Sequence, residues 1–145
     1  MDGIRIYYQS YGKGSEGLVL IHGWSCNLDV WPDQVSDFRK RTRVIAVDLP
    51  GHGQSDKPAV PYTIDLFARA IDAVLRDAGV KQAVLVGHSM GTPVGRQFYR
   101  KYPKKTVGTV IVDGALRSFG GRKMMEAFIA ALRAPNYKEA GAQFF

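Results

Sequence analysis

Short β-rich runs alternate with stretches of helical periodicity along this chain. Ile4 to Tyr11 and Leu18 to Ile21 come first, separated by Gly12-Lys13-Gly14-Ser15-Glu16-Gly17, which reads as a flexible turn. That turn is not a phosphate-binding loop, because its lysine precedes the second glycine and no helical pattern follows. Three more apolar runs follow, Arg43 to Val47, Ala83 to Val86 and Val107 to Val112. Between them the period changes. Asn27 is a candidate cap for a helix carrying Trp31, Val35 and Phe38 at i, i+4 and i+7, with Pro32 in its first turn. Thr63 is a candidate cap for a second helix, with Phe67, Ala70, Ile71, Val74 and Ala78 on one face and Gly79 ending it. Val94, Phe98 and Tyr102 form the stripe of a third, in which Pro93 is tolerated because the first-turn N–H groups are free, and which Pro103 stops. From Gly120 onward Met125, Phe128, Ile129 and Leu132 repeat as a fourth, and a short last one carries Tyr137, Ala140 and Phe144. Strand and helix alternation of this kind predicts α/β architecture, a mostly parallel twisted sheet with helices on both faces.

The ends of these strands hold the residues capable of chemistry. Gly87-His88-Ser89-Met90-Gly91 follows Ala83-Val84-Leu85-Val86, so a strand runs into a small-residue turn centred on a serine. A serine on so sharp a strand-to-helix turn takes strained backbone angles, and side chains two residues either side of it clash with neighbouring segments, hence glycine at both ends. The turn aims the hydroxyl at the amino end of the next helix, where unpaired N–H groups and the dipole favour negative charge. Asp113 stands at the end of Val107 to Val112, and ligand sites in open α/β sheets lie outside the carboxyl ends of strands. It reads either as a catalytic acid or as a carboxylate that caps its own loop, the second being the more ordinary.

Two other segments agree with the serine turn. Leu18-Val19-Leu20-Ile21-His22-Gly23-Trp24 is an apolar strand entering a His-Gly-aromatic loop, and Asp48-Leu49-Pro50-Gly51-His52-Gly53-Gln54-Ser55-Asp56 is a glycine-rich loop after a strand. With these three motifs in order the chain resembles the α/β-hydrolase family over roughly residues 3 to 116. The resemblance implies strands one to six of the hydrolase core within 1–116 and the start of a truncated helical lid in 117–145. It implies Ser89 as nucleophile and the backbone N–H groups of Trp24 and Met90 as oxyanion donors. Some family members place the triad acid after strand six, where Asp113 stands, and most after strand seven. The activity implied is hydrolysis of a carboxylic ester or related acyl substrate through an acyl-enzyme, with no cofactor and no metal. Dehalogenases and epoxide hydrolases of the family carry aspartate where this chain has Ser89; cofactor-free peroxidase-like chemistry remains open.

The histidines change this picture. His22, His52 and His88 all lie inside the motifs, none follows Ser89, and the family's catalytic histidine lies beyond the last core strand. His88 is expected to pack behind the turn, and His22 and His52 to orient loops. Without a base serine is a poor nucleophile, and triad knockouts lose roughly 10⁴–10⁶ in rate. A weak or inactive chain is therefore expected, and the competing class is a non-catalytic truncated or degenerate hydrolase, or a binding module. Strand six is then an exposed edge, inviting self-association or a complementing chain.

Composition adds exclusions. The net charge of +7, from 20 Lys+Arg against 13 Asp+Glu, is scattered, and no aromatic-basic interleaving of the kind that binds single strands is present, so a nucleic-acid partner is not expected. No run approaches the roughly 18 apolar residues of a membrane span, and no signal-like segment opens the chain, so a cytoplasmic protein without a membrane partner is expected. Cys26 is the single cysteine, excluding an internal disulfide, and reads as a small buried residue. Trp24 and Trp31 point to an apolar acyl group at the site mouth.

Overall fold

Continuous apolar runs at the centre of the sheet, such as Val44 to Val47, supply side chains to both of its faces, and both are covered there. The computed structural model describes residues 1–114, 121–133 and 135–136. The strands are β1 (Tyr8–Tyr11), β2 (Glu16–Ile21), β3 (Arg43–Val47), β4 (Gln82–His88) and β5 (Thr106–Val112), in the order β1-β3-β2-β4-β5. All pairs are parallel except β1 with β3, where Tyr8 faces Val47 and Tyr11 faces Val44. The described residues hold five strands, one for each β-rich run of the sequence. The first run is shorter than its pattern, pairing only from Tyr8.

Successive residues serve opposite faces. Val19 and Ile21 of β2, Ile45 and Val47 of β3, and Ala83 and Leu85 of β4 pack with α2 (Ile64–Asp77) and with Val94 and Phe98 of α3 (Gly91–Lys101). On the other face Leu20, Val44 and Ala46 pack with Leu28 and Trp31. Helical coverage of both faces is therefore as the alternation predicts. The Thr63 hydroxyl accepts from the Leu66 N–H at 3.0 Å, which caps α2 as expected. Its buried stripe is wider than expected and includes Leu66, Ala68, Asp72 and Leu75. Asp72 is nearly buried but neutralised by Lys105 at 2.5 Å and Arg76 at 3.2 Å.

The helix expected after Asn27 is split. Asn27 caps only a 3₁₀ turn, Leu28–Val30, and α1 starts afresh at Pro32–Phe38. The cause is Pro32, whose ring disfavours helical angles at the preceding residue; Trp31 sits at φ −114°, ψ 33°. As a result Phe38 is exposed instead of joining the stripe, while Trp31 is buried on the far face of the sheet, away from any site mouth. A fourth helix, α4 (Gly121–Arg133), forms where the pattern places it, and the short helix expected around Tyr137 to Phe144 lies outside the described residues. Among the described residues no helix is long and apolar enough to cross a membrane.

Candidate active site

Ile21 of β2 faces Gly87 of β4 in the parallel ladder, so the segments that leave these two strands emerge side by side. Ser89 follows β4 directly, with φ at 49°, and α3 begins at Gly91. A left-handed conformation costs a non-glycine residue about 1–2 kcal/mol, and here the surroundings impose it. A Cβ on Gly87 would lie 2.5 Å from the Gly91 carbonyl oxygen and 2.7 Å from the Thr92 nitrogen. One on Gly91 would run into the Ile21 carbonyl, and one on Gly23 would lie 2.9 Å from His88 Nδ1 and 3.2 Å from Ser89 Cβ. Three backbone segments thus close on Ser89 with no space for a methyl group, which accounts for glycine at both ends of the turn. The Ser89 N–H donates to the Val112 carbonyl at 3.1 Å, and the Ser89 carbonyl accepts from Thr92 at 3.0 Å. The side chain, by contrast, is exposed.

Met90 precedes α3, whose first N–H groups have no partner inside the helix and whose last turn carries Arg100 and Lys101. Met90 and the exposed Trp24 meet His52, Tyr62, Phe67 and Ile129 in the lining of an open cleft of about 580 Å³, the size of a small-molecule site. Tyr62 and Phe67 stack at 6.3 Å, and the His52 ring stands edge-on to Phe67 at 6.1 Å. Trp24 therefore stands at the mouth as expected and Trp31 does not.

The three histidines are committed elsewhere. His22 is fully buried; its Nδ1 lies 2.7 Å from the Gly23 carbonyl, and its Nε2 accepts the Leu49 N–H at 3.1 Å. One nitrogen faces an acceptor and the other a donor, which fixes the neutral ring with its proton on Nδ1, and burial pushes its pKa below the usual value. His52 holds its own loop through the Pro50 carbonyl at 3.1 Å, and the His88 ring packs at right angles to Trp31 at 6.3 Å. No ring nitrogen of these residues is hydrogen-bonded to the Ser89 hydroxyl.

Asp48 carries a role that its motif alone did not reveal. Its buried carboxylate accepts the N–H groups of Leu28 and Gln54, each at 2.7 Å, and its carbonyl accepts the Ser55 hydroxyl at 2.7 Å. It therefore ties the glycine-rich loop to the 3₁₀ turn after β2. The available signal was a charged residue closing an otherwise apolar strand. Asp113 is exposed at the end of β5 with φ at 43°, one residue beyond the carbonyl that binds the Ser89 N–H. Cys26 is half-buried, less enclosed than expected. Among the described residues no group of three or more His, Cys, Asp or Glu side chains is placed to hold a metal ion.

A family model of the alpha/beta hydrolase fold matches residues 17–136. The chain is 34% identical over 113 residues to the dihydrolipoyllysine-residue acetyltransferase component of the acetoin cleaving system of Cupriavidus necator, covering 78% of this chain and 30% of that one. It is 35% identical over 116 residues to a non-heme chloroperoxidase of Streptomyces lividans, covering 77% and 42%. Among solved structures, an N-acyl homoserine lactone degrading enzyme superimposes with a TM-score of 0.84 at 35% identity, covering 97% of this chain and 52% of that one. A hydrolase from Pseudomonas aeruginosa gives a TM-score of 0.84 at 26% identity, covering 99% and 54%. The chain thus spans 30–42% of the length of these curated relatives.

Proposed function

The chain belongs to the alpha/beta hydrolase fold family, and from that premise we propose that it carries the nucleophile half of a serine hydrolase acting on a carboxylic ester or lactone. The observation that carries this reading is the Ser89 turn, an exposed hydroxyl on a left-handed backbone held by Gly23, Gly87 and Gly91. In the reaction Ser89 Oγ attacks the substrate carbonyl and gives its proton to a base. The oxyanion is held by the N–H groups of Trp24 and Met90; loss of one such donor costs about 10²–10³ in rate. The tetrahedral adduct collapses, the alcohol leaves with the proton, and water then cleaves the acyl-enzyme. Asp113, beside the Ser89 turn at the end of β5, is the candidate acid. His22, His52 and His88 are engaged elsewhere, so we assign the base to residues outside this sequence.

A second reading, a hydrolase-derived module that binds without turnover, is favoured by the same histidine geometry. Labelling with a fluorophosphonate probe separates the two. The hydrolase reading expects slow adduct formation on Ser89, accelerated by added imidazole and absent from Ser89→Ala, and the binding module expects none in either. Adduct formation that is indifferent to Ser89→Ala removes Ser89 from the chemistry. We also assign the β5 edge, unpaired among the described residues, as the surface on which a further strand pairs.

A further inference from the structure

The cleft that Met90 lines next to the Ser89 turn is mostly apolar, with Ser25, His52 and Lys57 as the polar side chains among its described lining residues. Trp24, Tyr62, Phe67 and Met90 give it an aromatic and thioether wall, and among the described residues the one formally charged side chain lining it is Lys57. That lysine is not loose: its Nζ donates to the Gly53 carbonyl at 2.8 Å and the Ser55 carbonyl at 3.4 Å, which pins the ammonium at the rim. Two carbonyl dipoles hold it without cancelling its charge, and one of its three N–H donors remains. The acids nearest in sequence are committed to other groups. The Asp56 carboxylate accepts the Arg5 N–H at 2.7 Å and pairs with its guanidinium at 3.4 Å, while the Asp48 carboxylate is closed by Leu28 and Gln54.

An exposed cation held by two backbone carbonyls beside an aromatic wall selects ligands that are apolar in body and negative at one end. We propose that Lys57 is a specificity-determining residue, and that the substrate class is esters or lactones with an aryl or alkyl acyl chain bearing a carboxylate. The apolar chain lies on Tyr62 and Phe67, and its anionic end meets the Lys57 ammonium. This assignment rests on the hydrolase reading for the reaction but not for the binding, which needs no reactive serine.

The test is therefore a binding measurement on the chain as it exists, using 4-phenylbutyrate and its uncharged analogue 4-phenylbutyramide in isothermal titration calorimetry. The carboxylate is expected to bind about three- to tenfold tighter than the amide, the preference narrowing as salt is raised. Lys57→Gln should abolish that preference with little change in amide affinity, and Lys57→Arg should keep it. Circular dichroism melts of both variants establish that the fold is intact. Equal affinity of the two probes, a preference that survives Lys57→Gln, or failure of both probes to bind overturns the proposal. Each of these outcomes is independent of whether Ser89 is labelled by fluorophosphonate, so loss of one reading is distinguishable from loss of the other.

Discussion

Strands β3 and β5 are both apolar and rich in β-branched residues, yet among the described residues one is sealed and the other is open. Val44, Ile45, Ala46 and Val47 of β3 are at most 1% exposed, between β1 and β2 and under residues of both core clusters. Val107, Val110, Ile111 and Val112 of β5 are between 36% and 61% exposed, at the border of the described sheet. Composition alone therefore does not set burial; the neighbours do. The contrast extends to the chemistry. Ser89 and the Gly23 loop follow β4 and β2 in the interior of the sheet, whereas Asp113 follows the open strand. The Ser89 backbone is fixed by packing on three sides, whereas Asp113 lies exposed at the border of the described sheet.

The sharpest way to break this comparison is to truncate one isoleucine in each strand. Ile45→Ala should lower the free energy of unfolding by about 2–5 kcal/mol in urea denaturation, because it opens a cavity in a closed core. Ile111→Ala should shift it by no more than about 0.5 kcal/mol. Equal losses would show that β5 is packed as β3 is. Next in size are the two carboxylates at the strand ends. Asp48→Asn sets an amide donor against a backbone N–H and should cost about 1–3 kcal/mol, while Asp113→Asn should leave the unfolding midpoint in place.

A smaller effect is expected from pH. His22 is neutral and its folded pKa lies below its ordinary value, so the unfolded chain takes up a proton first as the solution is acidified. Its contribution is complete above about pH 6.5 and is lost as pH falls below that, with a slope of at most about 1.4 kcal/mol per pH unit. Urea midpoints measured between pH 8 and pH 5 should show that slope in the parent and a flatter one in His22→Gln. The smallest change in folding energy should come from Val110→Lys on the open strand, within about 0.5 kcal/mol. Sedimentation should nevertheless show less self-association in that variant, because a charge on an edge strand opposes pairing.

What could be read from the sequence was what short-range rules govern. Strand alternation, the Thr63 cap and the glycines around Ser89 each depend on a few neighbouring residues, and each stands in the structure as its local pattern implies. The Pro32 break is also local, and the restriction that proline places on Trp31 overrides the helical spacing of Trp31, Val35 and Phe38. Other features were beyond such rules. Lys57, Tyr62 and Phe67 reach the same cleft as Trp24 and Met90 only because β2 pairs with β4 while the Asp48 carboxylate ties the intervening loop down. Apolar spacing carries no information about that convergence.

The central assignment, Ser89 as a nucleophile in need of an external base, is tested most directly by acyl transfer in the presence of added imidazole. The 145-residue chain is incubated with p-nitrophenyl acetate, with and without imidazole, and acetylated peptides are mapped by mass spectrometry beside Ser89→Ala. Slow acetylation at Ser89, accelerated by imidazole and absent from Ser89→Ala, is the expected result. Acetylation spread over surface lysines with none at Ser89, or Ser89 acetylation at an enzyme-like rate unaffected by imidazole, contradicts it.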